Sequence, residues 1–536
     1  MESSIKRLFG VFLALSFMLA AFSACGHPGA NVAPGPIITS NIQVTEGSKN
    51  TPNPAQNSPE PTASPTTVKE STRYNNYNIV ADVNPETRTV TGIEKVSYKN
   101  RTGMELSQIY FNLHLNAFKR TAATKPYTDS TESGIFPFGK DYGYINITDT
   151  MINNAGAVFN VKDTVLTITF PEPLPPDAET EITIVFEAYI PAINHRTGSN
   201  ESAMWMGNFF PILALYDENG WHKGPYYPVG DPFYANIANY AVKITTPAAY
   251  TVVGTGEEVS SVLGGVRTTD ISAMLVRDFA FAVSQLYQVD TMKTNSGVYV
   301  NLYHYSETSD GDAILNLAVK ALEAYSAHVG SYPYASLDLI EVGIIPVISG
   351  MEYPGVAFID ASYFASEAKL QSIPLKLGHQ WFYNIIGNNQ IKEAWLDEGL
   401  TEYVCDRLFL TAEESALHMS AAYDSLQAAL PTIENKTLLQ DLSVYKTWSE
   451  YLNIQRTRAK LMMYALEQEI GTESMEAFLK LYYSKYAFRL VNKNEFIATA
   501  EEASQMELDD FFRGWMEDFA LPPLDFPTQL IHDPQI

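Results

Sequence analysis

The stretch PLKLGHQWFYN, residues 374–384, is followed closely by KEAWLDEGLTEY, residues 392–403. The first reads as a mostly apolar helix with Lys376 and His379 among its leucines and aromatics. Pro374 suits its first turn, where a missing N–H is tolerated; deeper in the helix it would kink the axis. The 18 residues from Gln380 to Asp397 separate His379 from Glu398. A lone histidine in such a helix is by default a hydrogen-bonded core residue, and a lone Glu398 a cap or ion-pair residue. Trp381, Trp395 and Trp515 read as core packing.

Around this block the pattern is helical. Asp312 can cap a helix carrying Ile314, Leu315, Leu322 and Tyr325 and ending at Gly330. A β-rich run from Leu337 to Ile348 follows, and then SGMEYPGVAFID, residues 349–360. Beyond Thr472, MEAFLKLYYSKY, NEFIATAEEAS and LDDFFRGWMEDF read as amphipathic helices, with Asn492 and Glu495 spaced as a capping pair.

From about Tyr74 to Val283 the period is two instead. Val96 and Tyr98 alternate with Lys95, Ser97 and Lys99, and Leu166, Ile168 and Phe170 with Thr167 and Thr169. Ile182, Ile184 and Phe186 repeat the pattern, as do Val242 and Ile244. Turn residues such as Asn84-Pro85 and Gly254-Thr255-Gly256 punctuate the strands, which together predict a β-sandwich.

At the amino terminus Lys6 and Arg7 precede an apolar run from Leu8 to Leu19, and small residues lead to Cys25. This is the pattern of an export signal, too short for a stable membrane span. Its end, Phe22-Ser23-Ala24-Cys25, resembles a bacterial lipobox with Phe22 where Leu is usual, which predicts lipidation of Cys25 and an extracytoplasmic protein on the cell membrane. Residues 25–72 are rich in Pro, Ser, Thr and Asn and read as a disordered tether. Cys405 would then be the only other cysteine, which excludes an internal disulfide in the mature chain. The formal net charge of −26 argues against nucleic acid as a partner, because phosphate binding needs clustered Lys and Arg.

His379, HQWFYN, the 18-residue gap and WLDEG resemble peptidase family M1, the gluzincin zinc aminopeptidases. Ser349-Gly350-Met351-Glu352-Tyr353 looks like that family's Gly-Ala-Met-Glu-Asn strand; VRDFAFAVS looks like the end of its sandwich, and NEFIATAEEASQMELDDFFRGWM like the close of its peptidase domain. The resemblance runs from about Tyr74 to Pro523. It implies a multidomain β plus α/β fold: an N-terminal β-sandwich over residues 73–295, a thermolysin-like α/β domain over 296–525 and a tail over 526–536, after a signal peptide over 1–24.

The resemblance also assigns roles. His379 falls at the second zinc histidine and Glu398 at the zinc glutamate, so both are remnant metal ligands; Glu352 falls at the anchor for the substrate's amino group, with Gly350 and Met351 as receiving backbone. Leu375 falls where the first zinc histidine would be, Lys376 at the general-base glutamate, and Arg456, in NIQRTRAKLMMYALEQEIG, at the transition-state tyrosine. Leu offers no lone pair, and a charged ammonium cannot accept a proton. Two donors fall short of the three or four protein ligands that a zinc site takes. The substitutions therefore imply a membrane-tethered pseudoenzyme without resident cofactor, with peptide or protein binding left in the cleft. Lys376 is expected to pair with Glu398 in place of the metal. Family membership alone implies an active Zn²⁺ aminopeptidase instead, and a filled cleft would leave a scaffold subunit.

Overall fold

In the strand Asn75–Asn84 the side chains of Tyr77, Ile79, Ala81 and Val83 are buried and those between them are not, as a period of two dictates for a sheet with one covered face. Val96 and Tyr98, Leu166, Ile168 and Phe170, Ile182, Ile184 and Phe186, and Val242 and Ile244 are buried in the same way. The computed structural model describes residues 74–305, 311–363, 372–434 and 436–526. The expected leader, Cys25, the tether and residues 527–536 lie outside these.

The N-terminal domain is a β-sandwich. Its largest sheet has eight strands in the order Glu257–Leu263, Val266–Val276, Ala238–Pro247, Asn75–Asn84, Thr89–Lys99, Glu179–Tyr189, Tyr144–Ile152 and Ala155–Gly156. Two four-stranded sheets complete it, one built around Met204–Gly207 and Ala280–Ser284, the other around Leu106–Asn112 and Val165–Leu174.

A five-stranded sheet begins the second domain, in the order Gln288–Lys293, Tyr299–His304, Ser336–Val342, Val356–Asp360 and Gly350–Tyr353. It starts at Gln288, ahead of the boundary expected at residue 296. Its two faces serve different cores. Ile340, Val342, Met351 and Phe358 pack with Trp205 and Phe209 of the sandwich. Leu337, Leu339, Ala357 and Ile359 pack instead with the helices, whose core holds Trp381, Trp395 and Trp515. The helix Gly311–His328 buries Ile314, Leu315, Leu322 and Tyr325, with Asp312 inside its first turn and its end at His328 instead of Gly330. The helix Lys493–Ser504 starts on the predicted capping box: Asn492 accepts from the Glu495 amide (3.1 Å) and Glu495 accepts from the Asn492 amide (3.0 Å). No helix among the described residues is long and apolar enough to cross a membrane.

Candidate functional site

Gly350–Tyr353 is an edge strand, antiparallel to Val356–Asp360, with Glu352 opposite Ala357. Because Met351 and Tyr353 point into the sandwich-side core, alternation turns Gly350 and Glu352 toward the helices. Two side chains of the HQWFYN segment hold the strand there. Asn384 Nδ2 donates to the Glu352 carbonyl (2.8 Å), and Gln380 Nε2 donates to the Tyr353 carbonyl (2.8 Å) while its Oε1 accepts from the Gly355 amide (2.9 Å).

Pro374 lies in the first turn of the helix Ile373–Gly378, as read from the sequence. The helix is shorter than expected, and His379 is its C-cap. The chain then widens: the amides of Asn384, Ile385 and Ile386 bond to carbonyls five residues back, at His379, Gln380 and Trp381. Gly378 permits this packing, since a Cβ there would lie 2.4 Å from the Tyr325 hydroxyl.

His379 is buried, but its ring makes no hydrogen bond among the described residues of the kind read from the sequence. Its Nε2 lies 3.7 Å from Glu352 Oε1 and its Nδ1 lies 4.0 Å from Asp397 Oδ2. Glu352 Oε2 and His379 Nδ1 are both buried without a hydrogen-bond partner. Asp397 accepts from Asn388 Nδ2 and Gln390 Nε2, each at 2.7 Å. Burial, and then the Glu398 carboxylate, still push its carboxyl well above the usual carboxylate range. The arrangement is an imidazole between two carboxyl groups at contact distance, with hydrogen-bonding capacity unused on both the ring and Glu352.

Glu398, next on the helix Trp395–Phe409, takes a different partner from the one expected. Its Oε1 accepts from the Tyr451 hydroxyl (3.0 Å). Burial, and then Glu398, push that phenol well above its usual value, so it serves Glu398 as a donor. The expected Lys376–Glu398 pair does not form. The Lys376 ammonium donates to the Ile348 carbonyl (3.1 Å), and its stem passes over Gly350, whose added Cβ would meet it at 3.7 Å. An interior carbonyl at the end of a short loop captures the ammonium before it can span the cleft.

Arg456 is also directed elsewhere. Its guanidinium pairs with Glu402, one turn beyond Glu398, and Lys460 Nζ reaches the other Glu402 oxygen (3.0 Å) and Asp406 (3.5 Å). Burial raises Glu402, but Arg456 and Lys460 outweigh it and hold the carboxyl far below its usual range. Burial likewise works against Arg456, and the Glu402 and Glu398 carboxylates outweigh it, so the guanidinium stays charged.

Sequence reasoning missed Tyr451, Asp397 and the sandwich's contribution. Tyr451 precedes a π-helical segment, Leu452–Arg458, whose wider turns defeat residue spacing. Gln455 in that segment accepts from the Trp395 amide (3.1 Å) and thereby ties it to the helix that bears Asp397 and Glu398. From the sandwich, Asp231 pairs with buried Arg196 (2.6 Å), and Gly230 presses on the Tyr451 ring, where a Cβ would lie 2.9 Å away.

A zinc ion would find a poor donor set here. Residue 375 carries no lone pair, Glu398 already accepts from Tyr451, and His379 faces Glu352. Among the described residues no group of three or more His, Cys, Asp or Glu side chains is placed to hold a metal. The residues present do not fit the group.

The comparisons with known proteins agree on the family resemblance. A family model described as the Peptidase family M1 domain matches residues 313–515. Leucine aminopeptidase 2 of Vanderwaltozyma polyspora is 24% identical over 219 residues, covering 38% of this chain and 33% of that protein. Leukotriene A-4 hydrolase of Xenopus laevis is 24% identical over 237 residues, covering 42% of this chain and 37% of that one. The chain thus spans about a third of the length of these relatives. In fold, the M1 zinc metallopeptidase of Deinococcus radiodurans superimposes with a TM-score of 0.62 at 15% identity, over 85% of this chain and 97% of that one. A mutant of that enzyme bound to a Tyr-Ser-Ala substrate gives 0.58 at 16% identity, over 85% and 96%. The chain resembles peptidase family M1 and has the two-domain architecture of these metallopeptidases.

Proposed function

We propose that this chain is an aminopeptidase-like protein that has lost zinc-dependent hydrolysis and binds the free amino termini of peptides in its cleft, on the outer side of a membrane to which Cys25 tethers it. The observation that carries the reading is the pairing of Leu375 with the Lys376–Ile348 hydrogen bond. The positions of an imidazole ligand and a proton acceptor hold an alkyl group and an ammonium committed to a carbonyl. What supports binding is the edge strand Gly350–Tyr353: with the Glu352 and Tyr353 carbonyls taken by Asn384 and Gln380, an extended peptide can add by main-chain pairing along Gly350 and Met351. The Glu352 oxygen left without a partner is a receptor for an ammonium group.

The test begins with metal analysis of the purified chain, together with binding of unblocked and N-acetylated peptides. Well under one zinc per chain, no chelator-sensitive release of aminoacyl groups, and saturable binding of unblocked peptides that Glu352→Ala abolishes are the expected results. About one zinc per chain with chelator-sensitive cleavage would restore an active aminopeptidase. Absence of both metal and peptide binding would leave a scaffold.

A further inference from the structure

The loop between the strands Leu106–Asn112 and Tyr144–Ile152 closes around a hollow of about 240 Å³ on the sandwich, apart from the cleft. Phe118, Tyr127, Phe136 and Tyr142 supply its aromatic lining, and Lys119, Arg120, Lys125 and Lys140 its charge, against a single acid, Glu132. In a chain with 61 acidic and 35 basic residues, four cations on one hollow reverse the prevailing sign.

The cations are positioned but not consumed. Among the described residues, Lys140 is the one of the four in an ion pair, with Glu132 at 2.8 Å. Arg120 lies over the Tyr142 ring (5.0 Å to the centroid) and Lys125 over the Tyr127 ring (5.5 Å), which orients each while leaving N–H donors unused. Lys119 is half-buried, and desolvation lowers its ammonium more than Asp163 restores it, so a second anion would relieve it.

The walls are fixed from behind. Phe118 is buried edge-on against His195 at 4.9 Å, and His195 Nε2 bonds to the Pro126 carbonyl at 3.1 Å. The Ile135 carbonyl accepts from the Asn194 amide at 2.9 Å. Tyr127 and Phe136 meet edge to face at 5.3 Å. A cavity of about 150 Å³ holds a benzene ring, so this one has room for one ring and an acidic group.

We infer that the hollow is a binding site for a small organic acid, one ring bearing one phosphate or carboxylate. The ring lies against Tyr127, Phe136 and Tyr142, and the acid is held by charge-assisted hydrogen bonds from Lys119, Arg120 and Lys125. The site is independent of the cleft and of the peptide-binding reading.

Titration calorimetry on the full chain tests this, with phenyl phosphate and benzoate as ring acids, phenol as the ring without charge and inorganic phosphate as the charge without the ring. At least one ring acid should bind saturably and at least tenfold more tightly than phenol and inorganic phosphate. Which of the two binds more tightly identifies the acid as phosphate or carboxylate. Exposed Arg120→Ala combined with Lys125→Ala should weaken binding at least tenfold, while Lys243→Ala on the large sheet and Glu352→Ala in the cleft leave it unchanged. No saturable binding of either acid, equal binding of inorganic phosphate alone, or indifference to the double substitution would each overturn the site.

Discussion

Glu398 and Glu402 stand one turn apart on a single helix and live in opposite electrostatic surroundings. Glu402 sits between the cations of Arg456 and Lys460, and the cluster continues through Asp406 to His418 at 2.8 Å. Glu398 accepts a hydrogen bond from a phenol, and across the cleft Glu352 and His379 each leave a buried polar atom unbonded. A closed network of charges stabilises only while every member is present. An open set of polar groups contributes little to the fold and is available to a ligand. The difference separates the structural half of this helix from the half that can function.

The hardest way to break that contrast is to open the closed side. Arg456→Ala removes one of the two cations on Glu402, and loss of a charge-assisted contact costs roughly 1.5–3 kcal/mol. Denaturant unfolding should show that loss for Arg456→Ala. Glu352→Ala, which removes a carboxylate with an unbonded buried oxygen, should change stability by less than about 1 kcal/mol while peptide binding disappears. Comparable losses in the two variants would erase the distinction.

The glycine between the two acids gives the next largest effect. A Cβ on Gly399 would lie 2.1 Å from the Ala459 Cβ, so this position fixes how closely the helix Trp395–Phe409 approaches Ala459–Ile470. Gly399→Ala should cost about 1–3 kcal/mol by overpacking, measured by the same unfolding. A smaller step is Tyr451→Phe, which deletes the donor to half-exposed Glu398 at a cost of about 1 kcal/mol. It should alter peptide affinity more than stability, and the reverse order would make Tyr451 a packing residue.

Much of this was legible in the residues. Strand periodicity located the sandwich, the Asn492–Glu495 box marked a helix start, and Trp381, Trp395 and Trp515 are core as read. What spacing could not reveal was where long side chains terminate. Lys376 reaches Ile348 on a neighbouring loop instead of Glu398, and Arg456, read at the tyrosine position, pairs with Glu402 on a neighbouring helix. Tyr451 was hidden because the π-helical turns after it break the 3.6-residue phase on which the reading relied.

A third carboxyl sharpens the comparison through pH. Asp278 is buried in the sandwich with hydrogen bonds from the Phe279 amide and Asn208 Nδ2, and among the described residues no cation pairs with it. Burial pushes it up from 3.8 to about 7, more than those bonds bring it down. Glu402, pulled down by its cations, favours the folded state above the usual glutamate range and loses that contribution as pH falls through its own low value. Asp278 has the opposite sign: its folded form prefers the proton, so its contribution is complete below about pH 4 and is lost as pH rises through about 7. Melting temperature should therefore decline between about pH 4 and 7. Asp278→Asn, neutral throughout and still able to accept from Phe279, should lessen that decline without touching the acid limb, and an unchanged slope between about pH 4 and 7 would move its cause to another group.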